Sequence, residues 1–204
     1  MGPHSGAGGR GADGRPVAVT VLYTIGHGAR DIGAFLALLE GAGIRRLVDV
    51  RTAPGSRKHP QFGGEALAES LRDRGIEYVW KGSELGGWRR ARPDSRHTGI
   101  TSAGFRGYAD HMETDEFRQA LRWLARSAAE VPTAAMCAES LWWRCHRRMI
   151  ADAVIASGDE VRHIMGGGRL DPHRLHPAAR IHDGALVYDR EETGQGRLDV
   201  GGSH

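Results

Sequence analysis

What most constrains the fold of this chain is a repeated alternation. Short, apolar, β-branched runs end at a glycine or polar turn, and each is followed by a stretch with apolar residues at helical spacing. Val19 to Ile25 is such a run, closed by Gly26. Asp31 can cap a helix through Glu40 that carries Phe35, Leu36, Leu38 and Leu39, with Gly41 and Gly43 stopping it. Arg46 to Val50, Ile76 to Trp80, Thr133 to Met136 and Val161 to Ile164 read as further strands. Glu65 to Arg74, Phe105 to Met112, Asp115 to Ala129 and Trp142 to Ser157 read as helices. Lys81 to Gly104 reads as a long polar loop, of the kind that often serves as a lid or binding segment. Arg180 to His182 and Ala185 to Tyr188, around Asp183-Gly184, read as a hairpin.

Strands alternating with helices predict an α/β fold. The expected sheet is mainly parallel, Rossmann-like or flavodoxin-like, with helices on both faces and a short C-terminal β-hairpin. The expected organisation is a Gly-rich disordered leader over 1–17, one α/β domain over 18–190, and a flexible polar tail over 191–204. No stretch approaches a membrane span and no apolar signal core opens the chain, so a cytoplasmic protein is expected, with no membrane partner. Two cysteines are too few for a disulfide scaffold, and in the cytoplasm they should be reduced.

The basic residues are unusual in kind. Of 28 Lys and Arg, only Lys58 and Lys81 are lysine. Arginine matches carboxylates and phosphates with a planar fork of donors, although an arginine-rich genome would produce the same excess. The net charge of +3 permits nucleic-acid binding without arguing for it.

In a parallel sheet, ligands bind beyond the carboxyl ends of the strands, and that rule turns the strand pattern into candidate site residues. His27 follows the first strand and suits proton transfer near neutral pH, or simply bonds a turn. Asp49 and Arg51 end the second strand on one side, as an orienting or hydroxyl-binding pair or as a structural ion pair. Ser56 and Arg57 stand in a basic loop that can cradle an anion. Cys137 and Glu139 end the fourth strand, and Cys145, His146 and Arg147 are expected on the first turns of the following helix, an electropositive place that stabilises a thiolate. Either cysteine is a candidate nucleophile, with His146 or His27 as base and Glu139 as acid or orienter; either can equally be a small packing residue. Cys137, Cys145 and His146 are also a conceivable metal set, but adjacent residues on a helix diverge by about 100 degrees, which argues against one for Cys145 and His146. His163 adds a polar group to the fifth strand. No Walker motif or nucleophile elbow is present.

Several of these segments occur together in order. They are Thr24-Ile25-Gly26-His27, Leu47-Val48-Asp49-Val50-Arg51 with Pro54, and Leu85-Gly86-Gly87. Phe105-Arg106 with Tyr108-Ala109, Cys137-Ala138-Glu139, Cys145-His146-Arg147 and Val161-Arg162-His163-Ile164 follow. The set resembles the bacterial and archaeal family catalogued as domain of unknown function 488, over about Tyr23 to Ile164. Gly28 and Leu141-Trp142-Trp143 depart from its pattern. The resemblance implies the fold and the site, Gly86 and Gly87 included, and specifies no reaction and no cofactor.

The leading functional expectation is an enzyme acting on a small anionic or nucleotide-like substrate, with Arg51 and Arg147 holding the anion, Cys137 attacking or shuttling, and Glu139 and His27 handling protons. Two alternatives accompany it. One is nucleic-acid binding or processing through the Arg-rich segment from Trp88 to Arg96; the other is metal or haem binding through Cys and His ligands. A homo-oligomer is compatible with each.

Overall fold

The computed structural model describes residues 19–55, 57–182 and 185–190. The expected leader and tail, Ser56 and the Asp183-Gly184 turn lie outside these residues. The chain alternates as its pattern requires: β1 (Val21–Gly26), α1 (Ile32–Gly41), β2 (Arg46–Asp49), α2 (Gly64–Arg72) and β3 (Glu77–Trp80). The long polar segment that follows opens with a one-turn helix, α3 (Gly82–Leu85). Next come α4 (Ala103–Met112), α5 (Asp115–Glu130), β4 (Thr133–Cys137), α6 (Arg147–Ala156), β5 (Glu160–Ile164), β6 (Leu170–Pro172), β7 (Ala179–His182) and β8 (Ala185–Tyr188).

Local chemistry sets the ends of these elements. The Asp31 carboxylate accepts from the Gly33 and Ala34 amides and caps α1. Gly43, at φ 68°, turns the chain out of that helix. Thr114 accepts from the Phe117 amide to cap α5, and Asp115 and Glu116 in its first turn complement the helix dipole.

Six strands form one sheet in the order β3-β2-β4-β1-β5-β6. The first five are parallel and β6 is antiparallel to β5. β7 and β8 form the separate antiparallel hairpin. The mainly parallel sheet and the hairpin match the expectation; β6, only three residues long, was not foreseen. In the Rossmann and flavodoxin orders, β1 lies beside β2. Here β4 separates them, and all five of its residues are buried.

Alternation along the strands divides the core in two. Ile25, Leu47, Ala134 and Met136 face α1 and α2, packing with Phe35, Leu39, Leu67 and Leu71. Leu22, Val48, Ala135 and Val161 face α4, α5 and α6, packing with Tyr108, Phe117, Leu124 and Ile150. Among the described residues, no helix is long and apolar enough to cross a membrane.

One consequence of this order positions the site. From β1 the chain crosses toward β2, on one side; from β4 it crosses to β5, on the other. The chain thus leaves neighbouring β1 and β4 for opposite faces of the sheet, α1 on one and α6 on the other, the arrangement that opens a crevice at their carboxyl ends.

Candidate functional site

The exits of β1 and β4 touch. The His27 amide donates to the Cys137 carbonyl at 3.0 Å and the Gly28 amide to the Ala138 carbonyl at 2.9 Å. This closeness needs glycines. A Cβ on Gly26 would stand 1.9 Å from the Glu139 carbonyl oxygen, and one on Gly28, whose φ is +59°, 2.0 Å from Ser140 Oγ. The departure at Gly28 thus has a steric reason.

Next to this junction stands Arg51, at the end of β2. Its Nε donates to both oxygens of Asp49, at 2.9 and 3.1 Å, and Tyr78 OH donates to Asp49 Oδ2 at 2.8 Å. Asp49 is fully buried and also accepts the Arg51 amide. Its work is to hold Arg51, because its oxygens are already engaged. Asp49 outweighs the burial of the guanidinium and raises the Arg51 pKa further. Arg51 Nη1 lies 3.4 Å from His27 Nε2. The other ring nitrogen of His27, Nδ1, is 2.8 Å from the Gly28 carbonyl, which can only accept, so Nδ1 carries the hydrogen and Nε2 the lone pair. The ring stacks on Phe62 at 4.3 Å. Burial lowers the His27 pKa to about 4 despite that bond to Gly28. The expected proton-handling residue is thus a neutral imidazole whose free nitrogen faces an arginine.

The thiols meet a different imidazole. The segment from Trp142 is not one continuous helix: a single 3-10 turn covers Trp142–Arg144, Cys145 is extended at φ −127° and ψ 150°, and α6 begins at Arg147. The expected divergence of Cys145 and His146 therefore does not arise, since neither lies inside a helix. His146 Nε2 is 3.1 Å from the Val50 carbonyl, so it carries the hydrogen and leaves Nδ1 bare. That Nδ1 lies 3.6 Å from Cys145 Sγ and 3.9 Å from Cys137 Sγ. The ligating atoms of Cys137, Cys145 and His146 all lie within 4.8 Å of one another. Both cysteines are free and nearly buried. The hydrogen bond from the Cys137 thiol holds the Cys145 pKa well down against burial, with the charge on Arg147 adding to it, while that same contact and burial push Cys137 up. The two sulfurs titrate as a coupled pair, in which losing one proton makes the second harder to lose.

Above these groups opens a cavity of about 780 Å³. His27, Arg51, Gly87, Cys137, Glu139, Cys145 and His146 all line it. Among its described lining residues the fixed charges are Arg51, Lys58 and Arg144 against Glu139 alone. Glu139 is exposed and its Oε1 accepts the Leu141 amide at 3.2 Å. Trp88 stands on the rim, 79% exposed.

Other candidates lie behind the cavity or away from it. Arg147 is buried and donates to the Glu139 carbonyl at 2.6 Å, so it braces the β4 exit and does not line the cavity. Gly86 is buried, and a Cβ there would stand 2.2 Å from the Gly82 carbonyl oxygen. Arg57 is exposed and outside the lining. Arg144 was missed; its only sequence signal was its place directly before Cys145-His146. Three of the four arginines proposed for nucleic acid are engaged within the chain: Arg92 and Arg96 pair with Glu113, and Arg89 donates to the Ser83 carbonyl.

His163 belongs to a second polar cluster, on the α6 side of the sheet. Thr24 Oγ1 is 2.6 Å from His163 Nδ1, His163 Nε2 is 3.0 Å from His173 Nδ1, and His173 Nε2 is 2.9 Å from Asp152 Oδ1. Tyr188 OH donates to Asp152 Oδ2 at 2.9 Å. Because the carboxylate can only accept, every hydrogen in this chain runs toward Asp152. Trp142 stacks on His163 at 4.1 Å, which gives the aromatic departure at 141–143 a packing role.

Neither a curated protein nor a solved structure matches this chain. A family model, Domain of unknown function DUF488, matches residues 31–154, a span that holds Asp49, Arg51, Gly87, both cysteines, Glu139 and His146. That match covers more than half of the sequence, and the chain belongs to the DUF488 family.

Proposed function

We propose that this protein is an enzyme that binds a small anionic substrate at the carboxyl ends of β1, β2 and β4 and transforms it at the Cys137–Cys145–His146 cluster. The observation that carries the reading is convergence: a dithiol–imidazole group and three fixed cations share one cavity. A folded core needs neither, and apolar cavities with a few convergent polar groups are where ligands bind. Arg51 is suited to the anion because Asp49 and Tyr78 fix its fork before any ligand arrives, so little rotamer freedom is lost on binding. Arg144 and Lys58 supply the remaining positive charge. Glu139 is the carboxyl group placed to exchange a proton with bound substrate. His27 keeps Arg51 in line and stays neutral.

Inorganic phosphate is the simplest probe. Titration calorimetry should show saturable binding that weakens about tenfold or more in Arg144→Ala and with rising salt. Turnover, screened over phosphorylated and carboxylated small molecules, should vanish in His146→Asn. Phosphate affinity that ignores both Arg144→Ala and Arg51→Lys would sink the reading.

A further inference from the structure

The cluster has a geometry more specific than two thiols near a base. We infer that Cys137, Cys145 and His146 form a mononuclear site for a zinc-class divalent ion, with one coordination position open to the cavity. The inference deepens the reading above by naming what the cluster holds, and rests on it only for the use of the open position.

Three observations support it. The first is distance. Bonds of about 2.3 Å to sulfur and about 2.1 Å to nitrogen, at tetrahedral angles, place sulfur and nitrogen about 3.6 Å apart. The two observed separations are 3.6 and 3.9 Å. The second is orientation. A ligating histidine usually donates its other ring hydrogen to a carbonyl or carboxylate, which fixes the tautomer and aims the bare nitrogen. His146 does so to Val50, from a strand end distant in sequence. The third is space. Gly87 passes so close that a Cβ there would stand 2.7 Å from His146 Nδ1 and crowd the ligating nitrogen. The leucine-glycine-glycine segment thus keeps room beside the imidazole, which a phosphate-binding loop would not require.

Two sulfurs and one imidazole select a borderline-soft ion such as zinc over magnesium or calcium. On binding, each thiol that still carries a proton releases it to solvent, and the sulfurs become the donors. Three protein ligands plus an open position is the pattern of reactive, rather than purely structural, zinc. The three ligands share one cavity with Arg51 and Arg144, so an anion held by these arginines would be presented to the open position.

Cobalt(II) serves as a coloured probe of such a site. The reduced, chelator-stripped protein is titrated without oxygen. One equivalent per chain should give a sulfur-to-cobalt charge-transfer band, which zinc then abolishes. Cys145→Ser and His146→Asn should lose more affinity than the about 10–100-fold typical of outer-shell changes. Gly87→Ala, which leaves all three ligands in place, should weaken binding about tenfold or more. Absence of the band at excess cobalt, or a band unaltered in both ligand variants, overturns the inference. If those variants do not fold by circular dichroism, the wild-type stoichiometry and Gly87→Ala decide it. Phosphate titration of the stripped protein separates the two proposals: metal uptake without phosphate binding leaves this site standing and removes the anion reading.

Discussion

The molecule buries two polar clusters on its central strands, and they are built on opposite plans. The chain Thr24–His163–His173–Asp152–Tyr188 is closed: each of these contacts runs donor to acceptor, it ends on a carboxylate, and all its members are buried. The cluster at the carboxyl edge is open. His146 Nδ1 has only sulfur for company, and Arg51, Glu139 and the thiols line a cavity. Both contain histidines and acids, so residue type does not separate them. What separates them is whether donors and acceptors are used up inside the protein. A closed network specifies and rigidifies a fold; an open one has bonding capacity left for a ligand.

If this contrast is right, breaking the closed chain costs stability first. The largest effect is expected at Asp152, which accepts from His173, Tyr188 and the His176 amide. Asp152→Ala leaves all three donors buried without an acceptor and should destabilise by about 3–5 kcal/mol in urea unfolding. Phosphate affinity, measured where the variant is still folded, should change little. A loss of binding with unchanged stability would reverse the assignment of the two clusters.

A smaller effect reads the closed chain by pH. Burial lowers the His163 pKa to about 2, with the neighbouring His173 and Arg147 adding to it. The unfolded chain titrates at its ordinary 6.5 and therefore binds more protons than the native state between these values. The stabilising contribution is thus present above about pH 6.5 and drains away as pH falls, at about 1.4 kcal/mol per pH unit. Between pH 7 and 5 the loss from His163 alone is about 2 kcal/mol. His163→Gln should flatten that part of the stability curve by the same amount, read from denaturant midpoints at each pH.

Much of the fold was legible in the sequence because its determinants are local. Asp31 marks the start of α1, Gly43 its end, and the apolar runs of β1, β2 and β4 announce buried parallel strands. The order of the strands was not legible. Nothing in Thr133 to Cys137 says that this run inserts between β1 and β2, since small apolar residues fit any central position. The strand-end rule still named His27, Arg51, Cys137, Glu139, Cys145 and His146, all of which line the cavity, because it depends on parallel direction and not on order. Its errors share a cause. Arg147 stands out in the sequence as a charge, but its place is set by the backbone that folds against it, whereas Asp49 makes the ion pair with Arg51 that its position allowed as one alternative. Cys145 and His146 were read as helical neighbours, and only the break ahead of α6 turns both toward one point. Gly87 entered the site only through the family resemblance, and the structure gives a physical reason for a glycine there, since a Cβ would crowd His146.

The smallest stability effect is expected in the open cluster, at Glu139, and it sharpens the comparison most. The carboxylate is exposed, and its one described protein bond is to the Leu141 amide. Glu139→Gln keeps an oxygen for that bond, so the unfolding free energy should move by no more than about 0.5 kcal/mol. The substitution also removes the only negative fixed charge among the described cavity-lining residues. Phosphate should then bind about two- to fivefold more tightly at low salt, with the gain shrinking as salt screens it. If Glu139 exchanges a proton with substrate, turnover falls in the same variant in which binding improves. Opposite movements of affinity and turnover, on an unchanged fold, are something a closed structural network cannot produce. Parallel losses of stability, affinity and turnover would show instead that Glu139 belongs to the same structural class as Asp152.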